Sequence, residues 1–171
     1  VNVTPILNED IDILKNTFNT NVFGSFIFAQ KSAQHMLQYK TKGHLLFTSS
    51  WVGESNWPGL VGYGASKAAL NSMMRSFALE LAQYNIRSNC IAPGIVGSGM
   101  ALKAYNSDLA YKECVDQSLP LKELQSVDSV ADMFVFVCSD KCNYMTGNII
   151  TIDGGCHLIN KHTVKIYYDN L

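Results

Sequence analysis

The segment Tyr63-Gly64-Ala65-Ser66-Lys67 places a phenol and an amine four residues apart. On a helix, side chains at this spacing lie on the same face and project into the same space. A free phenol has a pKa of about 10, too high for ready proton exchange at neutral pH. A neighbouring ammonium favours the phenolate and lowers that pKa, so the pattern predicts Tyr63 as a general acid or base. Taken alone, the pair also fits a solvated helix face.

Ser50 stands thirteen residues before Tyr63, directly after a short apolar segment with the pattern of a buried strand. Ligands of open parallel sheets bind at the carboxyl edge of the strands. A hydroxyl at that edge can hydrogen-bond a substrate carbonyl or alcohol oxygen beside Tyr63. Without Tyr63, Ser49-Ser50 would be interpreted as the cap of a strand end. With it, we predict that Ser50 is catalytic.

These side chains need helices and strands to hold them. Apolar residues at helical spacing predict a long helix over residues 10–39 and a second over 63–83. Short apolar strands are predicted at 44–49, 86–92 and 148–152, and Ser126 is predicted to cap a third helix. Residues 95–120 are interpreted as a mobile excursion with short helical pieces. Helices that alternate with strands indicate an α/β fold with a parallel sheet. Sheets average about five or six strands, so we expect more strands upstream.

Five ordered motifs resemble those of the short-chain dehydrogenase/reductase family, over residues 5–155 and most closely in members related to 3-oxoacyl-carrier-protein reductases. They are Ser50, the segment from Tyr63 to Leu70, the segment from Ile86 to Gly94, the segment from Tyr144 to Gly155, and Asn19-Thr20-Asn21-Val22-Phe23-Gly24.

The resemblance implies a catalytic set. Tyr63 would exchange a proton with the reacting oxygen, and Ser50 would orient and polarise that oxygen. Lys67 would lower the pKa of Tyr63 and hydrogen-bond the nicotinamide ribose. Asn21 would hold a water in a proton relay that ends at Lys67. Since Asn and Gly are poor residues in the middle of a helix, Asn21 and Gly24 also suggest a local kink.

The resemblance further implies that NAD or NADP is the cofactor, bound by Tyr63 and Lys67 and by the segment after the second strand. Pro93, Gly94 and Val96 resemble the backbone that holds the nicotinamide carboxamide. Ser98 stands where the family usually has a threonine that bonds the same group. A purely structural interpretation of Pro93-Gly94 is a strand terminator, and both can be true at once.

The glycine-rich segment Thr-Gly-x-x-x-Gly-x-Gly, which holds the pyrophosphate in this family, does not occur in the chain. We therefore interpret residues 1–155 as the C-terminal portion of one Rossmann-like domain, a partial doubly wound sheet, and residues 156–171 as a tail. The function predicted is an NAD(P)-dependent oxidoreductase that interconverts a carbonyl and an alcohol. The alternative is a truncated, catalytically silent fragment that serves as an oligomerisation or interaction module.

Bulky side chains flank the predicted centre in the sequence. They are either substrate contacts or core beneath a flexible loop, and the sequence alone does not separate the two. They are Trp51, Trp57, Met100, Leu102 and Tyr105.

The composition of the chain limits the classes of function and of binding partner that remain. A formal net charge of −1 gives no field that would draw nucleic acid or an acidic membrane, and no stretch of eighteen apolar residues occurs. Five scattered cysteines without a Cys-x-x-Cys pair fit neither a disulfide framework nor a metal site, so we expect a cytoplasmic protein without metal. The helices at 10–39 and 63–83 correspond to those that pair between subunits in the family. We therefore expect a homodimer or homotetramer with a small-molecule substrate.

Overall fold

The computed structural model describes residues 3–158. Helices and strands alternate along the chain as the sequence pattern predicts, and short 3-10 turns connect several of them. The strands are β1 (Gly43–Thr48), β2 (Ile86–Pro93) and β3 (Ile149–Ile152), and the helices are α1 (Ile11–Phe18), α2 (Ser25–Gln38), α3 (Val61–Leu81), α4 (Gly99–Ser107), α5 (Leu109–Ser118) and α6 (Val127–Cys138).

The three strands form one parallel sheet in the order β1-β2-β3. Thr48 of β1 pairs with Ile91, and Pro93 at the end of β2 pairs with Ile152. Within the described part of the chain, β1 is therefore an edge strand that pairs only with β2. This confirms the α/β fold class and the parallel sheet.

One core lies between the sheet and the two long helices. Leu45, Phe47, Ile86 and Cys90 of the strands pack against buried residues of α2 and α3. The buried faces of these helices carry small side chains (Ala29 and Ala33 on α2), which allow close packing on the sheet. A second core lies beyond the carboxyl ends of the strands and includes Trp51, Trp57, Ile95, Cys114, Val115, Leu119 and Cys156.

The helix predicted over residues 10–39 is interrupted. The chain leaves α1 at Phe18, passes through a π-helical turn at Asn19–Gly24, and enters α2 at Ser25. The local departure from α-helical geometry expected from Asn21 and Gly24 is thus present. π-helical turns inside α-helices occur frequently at functional sites.

Other local predictions are confirmed. The Ser126 side chain accepts a hydrogen bond from the backbone N–H of Ser129 and caps α6. The short helical pieces predicted in the excursion at 95–120 are the two helices α4 and α5, and the mobility of this segment stays a prediction. The end of the predicted tail, residues 159–171, lies outside the described residues. No helix in the described range 3–158 has the length and apolarity needed to cross a membrane.

Candidate active site

The candidate site lies at the carboxyl edge of the sheet. Because the strands are parallel, the residues that follow them emerge together: Ser49-Ser50 after β1, Gly94 after β2 and Asp153 after β3. The backbone N–H of Ser49 donates to the carbonyl of Ile91, so the β1–β2 pairing continues just past β1 and fixes the position of Ser50. The prediction that Ser50 lies at this edge is confirmed.

Ser50 and Tyr63 meet at this edge. The chain after Ser50 forms a 3-10 turn at Trp51–Gly53 and returns to begin α3 at Val61, which places Tyr63 in the first turn of the helix. Ser50 is buried, and its hydroxyl is hydrogen-bonded to the phenol of Tyr63. Two side chains thirteen residues apart in sequence thus share one site.

Burial of the phenol raises the pKa of Tyr63 above its ordinary value, and the hydrogen bond with Ser50 lowers it by a smaller amount. The sequence-based expectation that Lys67 lowers this pKa is not met in this arrangement. The reason is desolvation, which disfavours the phenolate more strongly than the available partners stabilise it. Tyr63 is therefore held in its protonated form at neutral pH.

Lys67 lies one turn after Tyr63 on the same face of α3, as the spacing predicts. Its Nζ is 5.6 Å from the centroid of the Tyr63 ring and donates a hydrogen bond to the carbonyl oxygen of Thr48, 2.9 Å away. Burial lowers the pKa of Lys67. The amine is thus tied to the end of β1, beside the phenol.

Asn21 reaches α3 from the π-helical turn. Its Nδ2 donates to the Ser66 hydroxyl at 2.9 Å, and that hydroxyl donates to the backbone carbonyl of Tyr63 at 2.7 Å. The structure therefore links Asn21 to the helix turn that carries Tyr63 and Lys67. The water-mediated relay from Asn21 to Lys67 stays a prediction.

A buried pair that sequence reasoning missed joins β1 to α3. The Ser49 hydroxyl donates to Oδ1 of Asn71 at 2.5 Å, and both residues are almost wholly buried. Gly53 lies so close to α3 that a Cβ there would be 2.9 Å from Asn71 Nδ2. Asn71 follows Lys67 by four residues, so the available signal was an amide on the catalytic face of the helix.

The residues predicted to bind the cofactor follow β2. Pro93 is the last residue of the strand, Gly94 and Val96 lie in the loop, and Ser98 is exposed as the N-cap residue of α4, with no side-chain capping bond. Gly94 is required by close packing, since a Cβ there would lie 2.7 Å from Asp153 Cα.

Gln125 holds this loop from the segment before α6. Its Oε1 accepts from the Gly94 N–H at 2.8 Å, and its backbone bridges Val96 by accepting from Gly97 N–H and donating to the Ile95 carbonyl. Nothing local in the sequence marks Gln125, because its partners lie about thirty residues away in the chain.

A cavity of about 160 Å³ opens beside Ser50 and Tyr63. Of the five bulky residues singled out from the sequence, Trp51, Trp57 and Met100 line it. The two indoles are also part of the second core, where they pack edge to face with ring centroids 5.7 Å apart. Tyr105 packs against the same core and donates to Asp116 at 2.6 Å, and neither it nor Leu102 lines the cavity.

Comparison with known proteins identifies the family. The family described as enoyl-(acyl carrier protein) reductase matches residues 2–157. The chain belongs to the short-chain dehydrogenase/reductase family. It is 35% identical over 147 residues to the 3-oxoacyl-[acyl-carrier-protein] reductase FabG of Thermotoga maritima, which covers 86% of this chain and 57% of that one.

Solved structures also superimpose on this chain. A 4-hydroxyisoleucine dehydrogenase mutant complexed with NADH and succinate superimposes with a TM-score of 0.86 at 26% identity, covering 93% of this chain and 65% of the other. ElxO with NADP bound superimposes with a TM-score of 0.83 at 25% identity, covering 91% and 62%. The chain spans between 51% and 62% of the length of the curated relatives it matches.

Proposed function

We propose that this protein is an NAD(P)-dependent oxidoreductase that interconverts a carbonyl compound and the corresponding alcohol. The observation that carries the proposal is the hydrogen bond between the Ser50 hydroxyl and the Tyr63 phenol at the wall of a cavity, with Lys67 one turn away. The relatives are dehydrogenases and reductases, which supports oxidoreduction in general.

The donor groups present fit a nicotinamide cofactor. An ammonium has three N–H groups, and Thr48 accepts a bond from Lys67, which leaves donors for ribose hydroxyls. The exposed Ser98 hydroxyl and the backbone of Pro93, Gly94 and Val96 supply polar groups for a carboxamide. Structures similar to this chain contain NADH or NADP, and we propose one of these two for this protein.

In carbonyl reduction, the bound cofactor would supply a hydride, with its electron pair, to the carbonyl carbon and leave oxidised. The π bond of the carbonyl breaks, and its electrons move to the oxygen. Tyr63 donates its phenolic proton to that oxygen, and the Ser50 hydroxyl donates a hydrogen bond to the same atom. The raised pKa of Tyr63 suits this direction, because the phenol keeps its proton at neutral pH.

Lys67 and Asn21 would act on the same proton. We propose that the Lys67 ammonium stabilises the phenolate that forms once the proton has left Tyr63. Asn21 would hold a water through which the proton is replaced, and its bond to Ser66 places its amide against the turn that carries both residues. Alcohol oxidation is the same sequence in reverse.

Replacement of Tyr63 by Phe tests the proposal. Loss of a general acid costs roughly 10²–10⁴-fold in rate, so kcat for carbonyl reduction by the purified protein should fall by that factor. Affinity for NAD(P)H, measured by fluorescence titration, should change little because the ring remains. Tyr84→Phe, a half-exposed tyrosine beyond the end of α3, is the matched control. Wild-type turnover in Tyr63→Phe would remove this residue from the role.

A second candidate is a catalytically silent interaction module. It is favoured by the apolar side chains that the α2 side of the molecule exposes, among them Phe23, Ile27 and Phe28, and by the open edge of β1. Assembly as a homodimer or homotetramer, and a cytoplasmic location, also stay predictions. Carbonyl turnover that depends on Tyr63 would decide in favour of the enzyme.

A further inference from the structure

A second large cavity opens at the amino-terminal edge of the sheet, at the opposite end of the strands from Ser50. The strands begin there, where Gly43 of β1 pairs with Ile86 of β2. The cavity has a volume of about 1010 Å³, at the upper end of the size range of small-molecule sites. Polar and charged side chains line much of it, among them Lys42, His44, Asn85, Arg87, Asp140 and Asn143.

The guanidinium of Arg87 is held in the wall of this cavity. Its Nη1 donates to the carbonyl of Cys142 at 3.0 Å and to that of Met145 at 2.8 Å, and the side chain is only partly exposed. Within the described residues 3–158, no carboxylate forms an ion pair with Arg87. Charges that are withdrawn from water are normally paired. The positive charge of Arg87 is therefore available to an anion in the cavity.

The side chain of Asn89 fixes which ring nitrogen of His44 carries the hydrogen. Asn89 is wholly buried, its Oδ1 accepts from the N–H of Asn148 at 3.0 Å, and its Nδ2 donates to the carbonyl of Met145 at 2.9 Å. In this orientation Nδ2 also faces Nε2 of His44, 2.9 Å away, so Nε2 is the acceptor. Burial lowers the pKa of His44 to about 4, so the ring is neutral at pH 7. Since a neutral imidazole has one N–H, the hydrogen is on Nδ1.

The Nδ1–H of His44 meets a second donor at the wall of the cavity. His44 and Arg87 are partners in the pairing of β1 with β2, and Nη2 of Arg87 lies 3.3 Å from Nδ1. In the part of the chain that the structure describes, residues 3–158, neither of these nitrogens has another hydrogen-bond partner. Two N–H groups that converge in this way are both satisfied by an oxygen that accepts from the two at once, and a charged oxygen makes the stronger bonds.

We propose that this cavity binds the phosphate group of a small phosphorylated molecule, whose oxygens accept from Nη2 of Arg87 and Nδ1 of His44. Lys42 adds a second positive charge to the lining. A phosphate matches these groups because it offers several charged oxygens and because guanidinium–phosphate bonds are strong. The amides of Asn85 and Asn143 line further wall, so the rest of the ligand is polar. The site lies apart from the candidate active site and does not depend on the proposed reaction.

Ribose 5-phosphate, inorganic phosphate and ribose test the ligand class by calorimetric titration of the purified protein at pH 7 and constant ionic strength. Ribose 5-phosphate should bind about 2- to 10-fold more tightly than inorganic phosphate, because the amides of the wall add hydrogen bonds to the sugar. Ribose should give no measurable binding. Equal affinity for ribose and its phosphate would overturn the proposal, and equal affinity for the two phosphates would overturn the assignment to a phosphorylated molecule.

Two charge variants of opposite sign locate the binding. Lys42 and Asp140 are exposed and line the cavity, so Lys42→Gln should raise the Kd for ribose 5-phosphate about 2- to 5-fold and Asp140→Asn should lower it by a similar factor. A general loss of stability would not shift the two values in opposite directions. The controls Lys103→Gln and Asp132→Asn change exposed residues outside the cavity and should leave the Kd unchanged. If the cavity variants behaved like these controls, the phosphate would bind elsewhere and the proposal would be wrong.

Replacement of His44 by Phe tests the donor pair itself. This variant keeps a planar ring and removes the Nδ1–H, so the Kd for ribose 5-phosphate should rise at least about tenfold. Circular dichroism establishes that the variant is folded, and if it is not, the two charge variants decide. An unchanged Kd in folded His44→Phe would overturn the proposal.

Discussion

The buried bond between Ser49 and Asn71 couples the strand that carries Ser50 to the helix that carries Tyr63 and Lys67. Ser49 is 3% exposed and Asn71 is 2% exposed, so neither partner can turn to water. Within the described range 3–158, Nδ2 of Asn71 already has no hydrogen-bond partner. Ser49→Ala would leave Oδ1 without a partner as well.

The expected loss of stability follows from the burial of both side chains away from water. A buried polar group left without a partner costs about 1–3 kcal/mol, whereas replacing both partners by apolar groups of similar shape is nearly neutral. We therefore expect Ser49→Ala to lower the free energy of unfolding by about 1–3 kcal/mol. The double variant Ser49→Ala with Asn71→Leu should recover most of that loss, because it also removes the unpaired amide.

Urea unfolding of the purified protein, followed by circular dichroism, measures this double-mutant cycle. The coupling between the two substitutions should reach at least about 1 kcal/mol. Ser72→Ala, the next residue along α3 and exposed, should stay within about 0.5 kcal/mol of the unsubstituted protein. The reasoning is refuted if Ser49→Ala is as stable as that control, or if the double variant loses the sum of the two single losses.

Two further predictions concern the loop after β2 and the far end of the sheet. Gln125→Ala removes the closer of the two acceptors of the Gly94 N–H, which also donates to the Ile152 carbonyl at 3.2 Å, so KM for the nicotinamide cofactor should rise about 2- to 10-fold. Gln125→Glu keeps an acceptor oxygen, so its KM for the cofactor in initial-rate assays should stay near that of the unsubstituted protein. Equal KM values for the two variants would contradict the role of Gln125 in holding the loop after β2. Burial, with a smaller effect of Arg87, lowers the pKa of His44 from 6.5 to about 4. Since the folded pKa is depressed, the free energy of unfolding should be highest above pH 6.5 and fall as the pH drops towards about 4. Urea unfolding at neutral and acid pH measures this decrease in the free energy of unfolding. The decrease should be smaller in His44→Gln and unchanged in the control His35→Gln, where the replaced side chain is exposed. An undiminished decrease in His44→Gln would exclude His44 as its source.

Much of the fold was predictable because it depends on local pattern. Apolar residues at a spacing of three and four residues mark helices wherever they occur, and the observed α3 differs from its predicted range by about two residues at each end. The Ser126 cap was visible because a capping serine bonds an N–H only three residues away. A local kink at Asn21 and Gly24 was anticipated because Asn and Gly weaken a helix locally, and the structure has a π-helical turn at Asn19–Gly24.

The candidate site was predictable only in part. The positions of Ser50, Tyr63 and Lys67 follow from a strand end and a helix face, and the structure brings them together as expected. The direction of the Tyr63 pKa did not follow, because burial by distant segments outweighs the neighbouring amine. The bond of the Asn21 amide to Ser66, a residue 45 positions away, was also not visible in the sequence.

The amino-acid sequence by itself determined which residue types stand at helical and strand spacing, and hence the α/β architecture, the family and the phenol–amine pair one turn apart. Only the tertiary structure decided the direction in which the pKa of that phenol shifts, the hydrogen bond from Lys67 to Thr48, the hydrogen bonds of Asn71 and Gln125, and the cavity beside Tyr63. The physical reason is the distance along the chain over which each effect acts. Spacing acts within a few residues of chain, whereas desolvation and buried hydrogen bonds depend on which distant segments pack at the same edge of the sheet.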